Sequence, residues 1–173
     1  MKTRSNPVYC GIDTIDLAQA TKLIQSIAGG TKPAVGGIKL GLEFFLAHGA
    51  PGVRYAFPAP VRATGVGFFL DLKLHDIPNT VAGGIRAVVE LAPTFITIHA
   101  SGGRDMLKAA VEEAATQAAK HHVSRPPLAW MVMKVGSSST TARMPPATVL
   151  GMSCSLRSRK KPTPVARTGA GKA

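Results

Sequence analysis

Acidic residues vanish from the last quarter of this 173-residue chain: all 9 Asp and Glu lie before residue 129. Residues 1–128 carry 13 Lys and Arg, a net of +4, and residues 129–173 carry the other 8 with no acid. The formal net charge of +12 is therefore mostly a property of the tail, so it does not mark a basic domain built for nucleic acid. Aromatics are scarce at 5%, and none follows Trp130, which leaves the basic tail without rings to stack on bases. The two cysteines, Cys10 and Cys154, are far apart and fall in no metal-ligand spacing, which excludes a disulfide scaffold and fits a reduced, cytoplasmic setting. No apolar run is long enough to span a membrane, and Val8–Ile12 is too short for a signal-peptide core. No nucleic-acid or membrane partner is expected.

What is present is a repeating alternation. Val8–Ile12 reads as a strand ending at Asp13, and Leu17, Ala20, Leu23, Ile24 and Ile27 recur at helical spacing until Gly29-Gly30. Val35–Leu40 is a second strand with Lys39 near its end; Leu42, Phe45 and Leu46 predict a helix closed by Gly49. Residues 51–65 read as a Pro- and Gly-containing connection. Gly67–Lys73 is the third strand and Val81–Leu91 its helix; Phe95–His99 is the fourth, followed by a small-residue turn and a helix over Met106–Lys120. Four strand–helix units argue for a parallel α/β fold, satisfied by a closed barrel or by an open doubly wound sheet. Asp13, Lys39, Asp71, Lys73 and His99 all fall at strand C-termini, where barrel enzymes assemble their sites.

The third strand carries the densest signal. Alternation sets Asp71 and Lys73 on one face with Phe69, while Phe68, Leu70 and Leu72 face the other way. Asp76 follows the strand, and Ile77-Pro78-Asn79-Thr80 leads into the next helix. Charges of alternating sign at the end of an apolar strand are costly to desolvate and mark a candidate site.

Asp71-x-Lys73-x-x-Asp76 followed by Ile77-Pro78-Asn79-Thr80 resembles the signature of the orotidine 5'-phosphate decarboxylases. The shorter Asp-x-Lys-x-x-Asp pattern is shared with sugar-phosphate relatives that require Mg2+. The resemblance implies a (β/α)8 TIM barrel of which residues 1–128 supply the first four to five β/α units. It implies cofactor-free conversion of orotidine 5'-phosphate to UMP, with no metal. Lys73 would stabilise and protonate the ring carbanion; Asp71 would lie beside the departing carboxylate and, with Asp76, keep Lys73 charged and oriented. Lys39 would join this network and touch the ribose, Asp13 would bind ribose hydroxyls, and His99 would support. Asp76 and Thr80 would reach the neighbouring subunit's site in a homodimer.

Each residue also has a plainer reading: Asp13 as a helix N-cap, Lys39 as a strand-end lysine with its head in water, His99 as a satisfied core histidine, and the Asp–Lys–Asp set as a structural ion network. Pro126–Met133 reads as a fifth strand, and residues 129–173 as an irregular, basic, Pro/Ser/Arg-rich tail. A full barrel takes about 250 residues. The change of composition near Leu128 is expected to reflect a truncated or frame-shifted barrel. An inactive fragment or a basic binding protein is the reading from another class.

Overall fold

The computed structural model describes residues 8–121. The expected fifth strand and the tail over 129–173 lie outside them. Strand β1 (Tyr9–Ile12), helix α1 (Leu17–Ala28), β2 (Gly37–Gly41), α2 (Leu42–Ala56), a short α3 (Ala59–Ala63), β3 (Gly67–Leu74), α4 (Pro78–Val88), β4 (Phe95–Ile98) and α5 (Gly103–Lys120) follow in order. The four strands form one parallel sheet in the spatial order β1-β2-β3-β4. A doubly wound sheet reverses its strand order where the second half begins; a barrel adds each strand beside the last. The observed order is the barrel's.

Alternation divides the strand residues between two faces. Ile12, Ile38, Leu40, Phe68, Leu70, Ile96 and Ile98 are buried beneath the helices, where they meet Ala20, Ile24, Phe44, Val81, Ile85, Met106 and Ala110. Full burial of an Ile or Leu of this kind stabilises the fold by about 1.5–3 kcal/mol each. Small alanines on α1 and α5 let those helices lie close to the sheet.

The opposite face is the barrel interior. At its lower end Tyr9, Phe69 and Phe95 form an aromatic cluster with ring centroids 5.4–6.4 Å apart. The Tyr9 ring lies flat across the paired Gly37 and Gly67, and a Cβ at either position would collide with it. Glycine is needed there for close approach. Above this floor the interior face carries Lys39, Asp71, Lys73 and Thr97.

Local signals explain the helix ends, and some differ from expectation. Asp16 caps α1 by accepting the Gln19 N–H at 2.9 Å, so Asp13, one turn earlier, is not the cap. Helix α4 begins at Pro78, three residues before the predicted start, because proline is preorganised for the first helical position and has no N–H to lose. Gly49 does break α2, with φ 60° and ψ −164°, but helix resumes at once. Residues read only as a Pro- and Gly-containing connection thus form the second half of α2 and then α3. Pro51 and Pro60 sit in first turns, where proline starts helices instead of ending them. Arg62 fastens this region: its Nε donates to the Phe57 carbonyl at 2.8 Å and its Nη1 to the Leu91 carbonyl at 2.6 Å, with the guanidinium 4.8 Å above the Phe57 ring.

Candidate active site

Two adjacent strands bring one carboxylate and two ammonium groups together. Asp71, on β3, is 2% exposed, and its Oδ2 accepts from Lys73 Nζ at 2.6 Å and from Lys39 Nζ at 3.1 Å. Lys39 reaches it from β2, one strand over, where its pairing partner on β1 is Gly11. A Cβ on Gly11 would stand 3.4 Å from Lys39 Cε, so the missing side chain leaves the lysine room to lie along the interior. Both lysines keep more than a third of their side chains in solvent, at 37% and 40%.

The Asp71 carboxyl is subject to opposed forces. Burial pushes it up, but hydrogen bonds from Lys73, Thr97 and Lys39, together with the Lys39 charge, outweigh that and hold it below the ordinary carboxylate value. Asp71 is an anion at neutral pH, and two cations share it. The cluster therefore carries one net positive charge on two partly solvated ammonium groups at the barrel mouth. Such an array attracts an anion and stabilises negative charge that develops beside it.

Lys73 adds a feature that alternation does not disclose. Its φ is 52°, the left-handed region that costs an L-residue about 1–2 kcal/mol. Lys73 nevertheless meets Asp71 on the interior side, as the sequence predicts.

The other predicted residues are at the same rim without joining this cluster. Asp13 is exposed just beyond β1. Asp76 is exposed, and its Oδ1 accepts the N–H of Ile77 at 2.7 Å. Thr80 is exposed in the first turn of α4. His99, at the end of β4, stacks on His75 with ring centroids 5.1 Å apart, and its N–H donates to the Leu74 carbonyl at 2.9 Å. His75 is not singled out by the sequence. Neither is Thr97, whose hydroxyl donates to Asp71 Oδ1 at 2.7 Å and accepts the Lys73 N–H at 2.9 Å. Its one signal was position: in Phe95-Ile96-Thr97-Ile98 it is the polar residue out of phase with two buried isoleucines, which places it on the interior face. Among the described residues, no group of three or more His, Cys, Asp or Glu is placed to hold a metal ion, and no helix is long and apolar enough to cross a membrane.

Comparison with known proteins agrees with this fold. The family described as "Orotidine 5'-phosphate decarboxylase / HUMPS family" matches residues 6–145. Over 121 residues the chain is 47% identical to the orotidine 5'-phosphate decarboxylase of Paramagnetospirillum magneticum, covering 70% of this chain and 48% of that one. It is 50% identical over 113 residues to the Rhodospirillum rubrum protein of the same name, covering 65% and 42%. Among solved structures, the orotidine 5'-phosphate decarboxylase of Lactobacillus acidophilus superimposes with a TM-score of 0.58 at 31% identity, over 73% of this chain and 52% of that one. The chain spans about half the length of the curated relatives it matches. The described residues are thus four β/α units of a TIM-barrel fold, with the charged cluster on strands two and three. On sequence, strand order and structural likeness together, this chain belongs to the orotidine 5'-phosphate decarboxylase / HUMPS family.

Proposed function

We propose that this chain carries the charged part of an orotidine 5'-phosphate decarboxylase site and converts orotidine 5'-phosphate to UMP without metal or organic cofactor. The observation that carries the reading is the buried Asp71 carboxylate gripping Lys39 and Lys73 at 3.1 and 2.6 Å. In the reaction the bond between ring C6 and the carboxylate carbon breaks, CO2 leaves, and the electron pair stays on C6. Lys73 Nζ, fixed beside that carbon, stabilises the pair and then transfers a proton to it; the neutral amine regains its proton from solvent. A preorganised cation facing developing negative charge is usually the largest single catalytic contribution. Asp71 holds that cation in place and repels the substrate carboxylate until it departs.

Lys39 and Asp13 bind the ribose hydroxyls, and His99 supports the rim from its stack with His75. Exposure of Asp76 and Thr80 leaves both side chains available to a second subunit, in keeping with a homodimer in which each reaches the partner's site. The absence of acid after residue 128 supports reading residues 1–128 as barrel and 129–173 as a separate basic segment. A cytoplasmic location suits a chain whose two cysteines are far apart in sequence and whose proposed substrate is biosynthetic.

The test is a direct assay of the full 173-residue chain, following UMP formation chromatographically with and without EDTA. Turnover that survives EDTA and disappears in Lys73→Ala is expected. Lack of turnover together with lack of binding to 6-hydroxy-UMP, whose ring oxyanion would sit against Lys73, refutes the reading. Activity abolished by EDTA points to the metal-dependent sugar-phosphate relatives.

A further inference from the structure

We propose that Thr97 is a positioning residue for this site: one hydroxyl fixes both the Asp71 carboxylate and the backbone that presents Lys73. The argument starts from the β3–β4 ladder. Leu70 pairs with Ile96 and Leu74 with Ile98, so β3 advances four residues (74 − 70) where β4 advances two (98 − 96). Two extra residues are taken up in the bulge that contains Asp71 and Lys73, and Lys73 accommodates it with φ 52°. A bulge interrupts the backbone ladder, and an N–H there must find another acceptor. For Lys73 that acceptor is a side chain, Thr97 Oγ1, at 2.9 Å.

A hydroxyl has a single proton to give. With the Lys73 N–H pointing at Oγ1, that proton goes to Asp71 Oδ1, 2.7 Å away. Asp71 Oδ2 is occupied by the two ammonium groups, so Thr97, holding the other oxygen, fixes the plane in which the carboxylate meets the lysines. Thr97 is itself 2% exposed, which leaves no easy route for water to replace the hydroxyl. The decarboxylase reading enters only in assigning a chemical use to the geometry so fixed.

Two variants of the full chain test this. Thr97→Val keeps the shape and removes the hydroxyl; Thr97→Ser keeps the hydroxyl and removes the methyl. Carbon-13 NMR follows the Asp71 carboxyl titration and the Lys73 Cα shift. In Thr97→Val the Asp71 midpoint should move up toward the ordinary carboxylate value and Lys73 Cα should leave the left-handed range. Thr97→Ser should keep both wild-type signatures. In turnover, Thr97→Val should lose about a hundredfold in kcat with KM little changed, as expected for misaimed reacting groups, and Thr97→Ser should recover most of it. An unaltered Asp71 titration in Thr97→Val, or its loss in Thr97→Ser, overturns the proposal. Should Thr97→Val fail to fold, Thr97→Ser decides alone by the same titration. A wild-type chain without turnover refutes the decarboxylase reading only, and the titration still decides the role of Thr97.

Discussion

Replacing Asp71 by Asn should cost the fold more than any change on the charged rim, and its size can be worked from the site. Two ammonium groups lie about 3 Å from Asp71 Oδ2. At an effective dielectric of 20, each contact is worth about 5 kcal/mol of gross attraction. Most of that is offset by desolvation of the carboxylate and by the solvent that the lysines recover when released, since 37% and 40% of their side chains are already exposed. Charge-assisted hydrogen bonds net about 1.5–3 kcal/mol each, and Asn retains the bond from Thr97. Discounted for the exposure of both lysines, the two lost bonds leave a destabilisation of about 2–4 kcal/mol. With a urea m-value of about 2 kcal/mol/M, the unfolding midpoint should fall by about 1–2 M. The pH dependence sharpens the test. The Asp71 carboxyl is held below its unfolded value, so its contribution is whole above that value, near pH 4, and fades as pH falls toward the folded-state pKa. Wild type and variant should therefore differ most at neutral pH and converge in acid. A gap that stays constant down to pH 2, or a variant as stable as wild type at pH 7, would refute the reasoning.

Gly37→Ala should destabilise by about 1–3 kcal/mol, because the new methyl collides with the Tyr9 ring. In a Tyr9→Leu background the penalty should shrink, a non-additivity visible in thermal unfolding of the four proteins of the cycle. Arg62→Lys should lose about 2–4 kcal/mol despite keeping its charge: one ammonium cannot reach both the Phe57 and Leu91 carbonyls or lie flat on the Phe57 ring. Chemical denaturation measures it, and a change below about 0.5 kcal/mol, the size of an ordinary surface substitution, would show that the fastening is incidental.

The strands were legible because their signal is local. Short apolar runs at Val8–Ile12, Val35–Leu40, Gly67–Lys73 and Phe95–His99 marked the four strands, and alternation in the third set the face on which Asp71 and Lys73 lie. The helices within residues 51–65 were not readable, because Pro51 and Pro60 look like breakers until their place in a first turn is known. Thr97 and the left-handed Lys73 were not readable for a different reason. Both depend on how β3 slides against β4, a register between residues 24 and 26 apart in sequence that no window along either strand contains. Asp76 follows β3, and within the subunit its carboxylate accepts from its own neighbour, Ile77.

The bonds around Asp71 bridge 32 residues to Lys39 and 26 to Thr97. The network is not complete in a nascent chain until strands two, three and four have all emerged and met. The charged array with Thr97 is then complete only once three strands are in register. Slippage of β4 along β3 would part Thr97 from Asp71 and Lys73 and leave the two lysine bridges, made on β2 and β3, without the hydroxyl that orients their shared carboxylate.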